Sequence, residues 1–173
     1  DQGAILVATW GGGITVYDQQ WNFIRNVHFS GPPELNLVWS FVRLEDGTIW
    51  AGTQNGYIHQ YDPVQKSFKT IHPTETGNST IATMARDPHG NILLGLFNGK
   101  IALWNKTENM FYAFNDNSSV ANIPYASVID ILPDHSGKCW VTTATGLLRF
   151  DIEKRAYTHL FQPDSLLAHS GVT

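Results

Sequence analysis

Glu45-Asp46-Gly47-Thr48-Ile49-Trp50-Ala51-Gly52-Thr53-Gln54-Asn55-Gly56-Tyr57-Ile58-His59-Gln60-Tyr61-Asp62 spells a β-hairpin. Asp46-Gly47 opens it as a tight turn, and Thr48 to Ala51 form a strand. Asn55-Gly56 predicts a two-residue turn, because both residues tolerate positive φ. Tyr57 to Tyr61 is the returning strand, and Asp62-Pro63 stops it by starting another turn.

The hairpin is repeated. The opening glycine recurs as Gly3, Gly47, Gly90 and Gly137, at spacings of 44, 43 and 47 residues. Nine residues on stand Gly12, Gly56, Gly99 and Gly146, and five further on (four in the last copy) the aromatics Tyr17, Tyr61, Trp104 and Phe150. Each aromatic is followed by Asp18, Asp62, Asn105 or Asp151. A period of this length is the mark of a repeat architecture.

Around these landmarks each unit predicts four strands. The first strands fall at 37–43, 80–86 and 127–132, and the second at 4–9, 48–53, 91–96 and 138–143. The third fall at 13–17, 57–61, 100–104 and 147–150, and the fourth at 22–29, 67–72, 110–114 and 156–161. No helical period stands out. Runs such as Ile5-Leu6-Val7-Ala8 and Ile92-Leu93-Leu94 are apolar on successive residues, which predicts sheets covered on both faces. The expectation is therefore an all-β chain, residues 1–173 forming one β-propeller segment. It holds three complete four-stranded antiparallel blades plus a partial one, cut from a larger ring. Three blades cannot close a ring. Further blades, copies of this chain, or a missing strand supplied by residues 165–173 would have to complete it.

Composition agrees. The 173 residues include 15 glycines and 8 prolines, and only 15% are charged, which suits many turns. A net charge of −4 argues against a general nucleic-acid binder, which needs a basic face. No apolar run is long enough to span a membrane. The single cysteine, Cys139, aligns with Ile5, Ile49 and Ile92 and is expected to be a small buried hydrophobe.

Asp46-Gly47-Thr48-Ile49-Trp50-Ala51-Gly52-Thr53, then Asn55-Gly56, then Tyr61-Asp62, resembles the two-component regulator propeller repeat. The copy from Asp134 to Asp151 matches through Gly137, Trp140, Thr143, Gly146-Leu147 and Phe150-Asp151. The first copy keeps Gly3, Thr9, Gly12 and Tyr17-Asp18; the third departs, with Leu93, Leu96 and Trp104-Asn105. The resemblance implies the extracytoplasmic, periplasmic sensor region of a hybrid two-component regulator. Its parent would be anchored in the inner membrane, with a histidine kinase elsewhere in that chain and no enzyme activity in this segment. Many such sensors recognise oligosaccharides. The alternative is a non-enzymatic protein-interaction scaffold, although the Gly-His pair of tryptophan–aspartate repeats is missing.

Antiparallel connectivity puts the turns between second and third strands on the same face as the long loops near 30–36, 73–79 and 115–126. Binding residues concentrate on variable loops of this kind. Trp10 and Phe97 occupy a turn position that Gln54 and Ala144 hold elsewhere, and neither ring is needed to make the turn. A ring flanked by amides suits a sugar, whose C–H face stacks while its hydroxyls form hydrogen bonds. The candidate ligand set is Trp10, Gln54, Asn55, Phe97, Asn98, Asn122 and Tyr125. The competing expectation is that the rings cover a neighbouring blade's edge. Trp39, Trp50, Trp104 and Trp140 are expected to be packing residues, and Trp21 to be partly exposed.

Histidines 28, 59, 72, 89, 135, 159 and 169 form no ligand pair on one strand, so neither a metal nor another cofactor is expected. Asp18, Asp62 and Asp151 are expected to cap their turns. Asp130, alone among carboxylates inside a first strand, would meet water, a ligand or a cation in the central channel. The unpaired edges at both ends predict self-association or pairing with the rest of a parent propeller.

Overall fold

The computed structural model describes residues 3–114, 127–154 and 156–161. Four antiparallel sheets follow one another along the chain. The first has three strands, β1 (Ile5–Thr9), β2 (Gly13–Tyr17) and β3 (Phe23–Val27). The second has β4 (Val38–Arg43), β5 (Ile49–Thr53), β6 (Ile58–Asp62) and β7 (Ser67–Ile71). The third has β8 (Ile81–Arg86), β9 (Ile92–Leu96), β10 (Ile101–Asn105) and β11 (Met110–Phe114). The fourth has β12 (Val128–Pro133), β13 (Lys138–Thr143), β14 (Gly146–Asp151) and β15 (Ala156–Phe161). Every sheet is a meander in sequence order, and no sheet closes on itself. The all-β class and the strand order match the expectation, and the arrangement is consistent with a propeller segment.

The turns form for local reasons. Asp46 Oδ1 accepts the Thr48 N–H at 2.9 Å, and Gly47 sits at φ 85°, where a Cβ would be strained. Asp62 and Asp151 likewise accept backbone N–H groups two or three residues on, and Asp18 those of Gln20 and Asn22. Asn55 and Gly56 both adopt positive φ, as their sequence requires. The turn nonetheless holds three residues, not two, because the Thr53 N–H bonds the Tyr57 carbonyl at 2.9 Å.

Three separate cores lie at the three junctions. Ile14, Val38 and Ala51, with Leu6, Phe29, Phe41 and Phe68, join the first sheet to the second. Trp50, Ile58, Ile81, Ile92 and Leu94 join the second to the third. Leu93, Ile101, Val128, Ile131, Cys139 and Phe150 join the third to the fourth. In the third and fourth sheets the repeat's aromatic packs backwards: Trp104 lies 4.9 Å from Trp50, and Phe150 lies 5.2 Å from Phe114. Residues 92–96 are buried on both faces as expected, but the equally apolar Ile5–Thr9 is only half-buried. The first sheet has a described neighbour on one side alone, so its Tyr17–Phe23 contact, 6.2 Å between centroids, faces outwards with Trp21 beside it. Trp21 is 65% exposed and sits at φ 63° just before β3.

The sheets approach closely where the second strands carry Gly52 and Gly95. A Cβ on Gly52 would lie 2.7 Å from Ile81 Cγ2, and the same atom on Gly95 would lie 2.5 Å from Val128 Cγ1. Small residues on the second strand thus admit the first strand of the next sheet. Hydroxyl contacts fasten these inner strands: Ser40 Oγ donates to the Ile81 carbonyl at 3.1 Å, and Thr83 Oγ1 to Asp130 Oδ1 at 3.0 Å. Asp130 is therefore partnered by a neighbouring sheet.

Candidate functional site

The site grows from a threonine that ends the second strand. Thr9, Thr53 and Thr143 each donate their hydroxyl across the turn, to Gly13, Tyr57 and Gly146, at 3.0 Å. This closes the hairpin without using the next side chain. That residue is Trp10, Gln54 or Ala144. The third copy has the buried Leu96 instead of threonine, and serines take over the task. Ser127 Oγ donates to the Phe97 carbonyl at 2.9 Å, Ser79 Oγ accepts the Asn98 N–H at 3.1 Å, and the Phe97 N–H reaches the Thr80 carbonyl at 3.1 Å. The backbone at Phe97 and Asn98 is held by three bonds, while Phe97 remains 38% exposed.

The structure brings Trp10 and Phe97 together through a residue the sequence had assigned to packing. Trp39 stands between them, 4.8 Å from Trp10 and 4.9 Å from Phe97, centroid to centroid. The three rings form one exposed row across the first three sheets. The correction has a backbone cause. Val38 pairs with Thr53 and Ser40 with Gly52, so Trp39 is an extra residue in a β-bulge. Bulges re-aim the side chain they carry. The same break recurs at Ala82 and Ile129, between Ile81/Thr83 and Val128/Asp130. The signal was present: this slot holds Trp, Ala and Ile in three copies, as freely varied as the slot of Trp10 and Phe97.

The segment leading into Trp39 is pinned from below. Asn36 is buried, and its amide accepts the Phe29 N–H at 2.8 Å and donates to the Phe29 carbonyl at 2.9 Å. His59 is fully buried, with Nε2 2.7 Å from the Leu35 carbonyl and Nδ1 2.8 Å from Thr70 Oγ1. A carbonyl only accepts, so Nε2 carries the proton and Nδ1 accepts from the threonine. Phe29 stacks on the imidazole at 3.4 Å and 4°. Burial lowers the His59 pKa, which keeps the ring neutral.

Of the other expected site residues, Gln54 and Asn55 stand half-buried in the turn of the middle sheet. Asn55 is there chiefly for its left-handed conformation, φ 59°. Asn98 is exposed, and its side-chain carbonyl accepts the Lys100 N–H at 3.1 Å. Asn122 and Tyr125 lie outside the described residues. Trp50 and Trp104 do pack between sheets, and Trp140 lies beneath the Arg149 guanidinium, 5.4 Å from ring centroid to Cζ.

Charge is divided between the two ends of the sheets. Glu45 pairs with Lys106 at 2.8 Å and Arg86 at 3.5 Å, at the end of the short turns. The Lys106 hydrogen bond holds the Glu45 carboxyl below its ordinary pKa. At the same end Ser136, and then Arg149 at 2.9 Å, hold Asp134 well below its ordinary value. Two cavities open there, one of about 450 Å³ near Val16, Arg25 and Tyr61 and one of about 330 Å³ near Glu45, Trp104 and Lys106. Neither touches the aromatic row. Among the described residues no cluster of three His, Cys, Asp or Glu could hold a metal ion.

The chain is a series of antiparallel meanders with a row of exposed aromatic residues on its loop edge. This fold is shared with extracellular domains of known structure. The extracellular domain of BT4673 from B. thetaiotaomicron, assigned in its two structures to a one component and to a hybrid two component system, superposes with TM-scores of 0.71 and 0.73. Identity is 15% in both, over 92% and 94% of this chain and 22% and 23% of that one. The extracellular domain of BT3049 from the same organism, assigned to a hybrid two component system, gives a TM-score of 0.66 at 20% identity, over 99% of this chain and 22% of its own. This chain therefore spans less than a quarter of the length of these structures. No protein-family model and no curated protein matches the sequence. Among the described residues no helix is long and apolar enough to cross a membrane.

Proposed function

We propose that this chain is a segment of a β-propeller in the extracytoplasmic sensor region of a hybrid two-component histidine kinase. In this reading it recognises an oligosaccharide on the loop edge of its sheets and carries out no catalysis itself. The observation that carries the reading is the exposed row of Trp10, Trp39 and Phe97. Three copy-specific aromatics are gathered on one surface by elements whose own folding does not need them. The fold it shares with extracellular domains of hybrid two component systems supports the same reading. A ligand would signal by favouring one arrangement of the receptor over another, to the extent that its affinity differs between them.

The outward face of the first sheet belongs to this proposal too. Trp104 and Phe150, the counterparts of Tyr17, are each covered by a preceding sheet. Tyr17 and Phe23 would be covered in the same way by another sheet of this repeat, from the remainder of a parent propeller or from a second copy. Calorimetric titration of the full chain with a panel of oligosaccharides tests the function. Saturable binding that Trp10→Ala weakens supports it. Failure of every glycan, with capture of a defined protein partner instead, refutes it and favours the interaction-scaffold reading.

A further inference from the structure

Resting on that sensor reading, we infer that the aromatic row takes an uncharged oligosaccharide of two or more pyranose units, with Trp39 as its central stacking ring. The length follows from ring geometry. Trp10 is inclined at 75° and Phe97 at 72° to Trp39. A single flat pyranose cannot lie on two rings so steeply inclined, so a ligand that uses the row must bend between units.

The central role of Trp39 follows from its mounting. Its backbone is fixed at a bulge, while the segment before it is tied down through Asn36 and Leu35. Its ring contacts both neighbours, and Trp39 is still 37% exposed as a residue. Phe97 is the fixed wall, held by Ser79, Thr80 and Ser127. Trp10 is the more open wall, 68% exposed, with its backbone bridged to Leu37 and the following Gly11 N–H bonded to the Asn36 carbonyl at 3.1 Å.

The absence of charge on the ligand follows from the protein's own charges. In the loops at that end, among the described residues, Lys100 is the one cation, against Glu34 and Glu75. Arg43, Arg86, Lys106 and Lys138 lie at the opposite end of the sheets, a strand length of about 16 Å away against a screening length of about 8 Å in physiological salt. Acidic sugars would meet net repulsion there, whereas Gln54, Asn55 and Asn98 offer neutral donors and acceptors for hydroxyls.

The test is tryptophan fluorescence and calorimetry on the full chain. The probes are gluco-, xylo- and manno-oligosaccharides, their monosaccharides, and oligogalacturonate and chondroitin oligosaccharides of matched length. The expected result is binding of a neutral oligosaccharide, little binding of its monosaccharide, and a loss of roughly tenfold or more in affinity for Trp39→Ala. Trp10→Ala serves as a second variant, since its exposed ring contributes little to folding. An acidic oligosaccharide that binds more tightly than any neutral one and weakens with salt overturns the inference but leaves the sensor reading standing. Neutral binding that survives both substitutions moves the site elsewhere and also overturns it. Failure of every saccharide removes the sensor reading and the inference together.

Discussion

Gly52→Ala probes the contact on which the stacking of the sheets depends. The new Cβ would lie 2.7 Å from both Ile81 Cγ2 and Ser40 Oγ, and 2.9 Å from Ile81 Cβ. Ile81 is fully buried and β-branched, so its side chain cannot swing aside. Overpacking of this kind costs about 1–3 kcal/mol. Ser40 can move, but only by giving up its bond to the Ile81 carbonyl, a further loss of about 0.5–1.5 kcal/mol. Opposing both is the lower backbone entropy of alanine in the unfolded chain, a gain of about 0.4–1 kcal/mol. The unfavourable terms win, and the net loss is about 2 kcal/mol. For a chain of this size that is a fall in Tm of about 4–8 °C. Thermal and urea unfolding followed by circular dichroism reads it, with a lower midpoint at unchanged slope. Gly95→Ala repeats the test at the next junction, where Val128 Cγ1 would be 2.5 Å away. Parental stability in both variants would mean that adjacent inner strands do not approach as described, and the stacking scheme would fail.

Three further outcomes are expected. Because the folded state holds His59 below its ordinary pKa, its contribution to stability is complete above about pH 6.5 and is lost as pH falls through the folded value. Urea midpoints measured from pH 7.5 downwards should therefore decrease, and His59→Phe should flatten that decrease. Cys139 is fully buried, and burial pushes its thiol pKa up to about 12. An aromatic disulfide reagent should thus label it only in denaturant; rapid labelling of the native chain would contradict its place in the core. The exposed Tyr17–Phe23 face should drive self-association of the isolated chain, seen by light scattering, and Phe23→Lys should reduce it. A monodisperse monomer with the parental sequence would refute that.

Turn chemistry acts over a few residues, which is why so much was legible in advance. Asp46-Gly47 and Asn55-Gly56 carry their own backbone requirements, and an interval of some 44 residues repeated them. Strand positions, the meander order, the burial of Cys139 and the capping by Asp18, Asp62 and Asp151 all follow from that local logic. So did the choice of Trp10 and Phe97, as departures from the pattern of their own repeat. What the sequence could not determine was any contact made between sheets. Trp39 looked like one more apolar residue in an apolar strand. Only the bulge, set by how β4 pairs with β5, turned its ring towards Trp10 from an earlier sheet and Phe97 from a later one. His59 likewise carries no local mark; the stacked Phe29 and the Leu35 carbonyl reach it across 24 residues or more of chain. Local conformational preference wrote the sheets, and packing between them, which no short stretch encodes, decided which side chains share a surface.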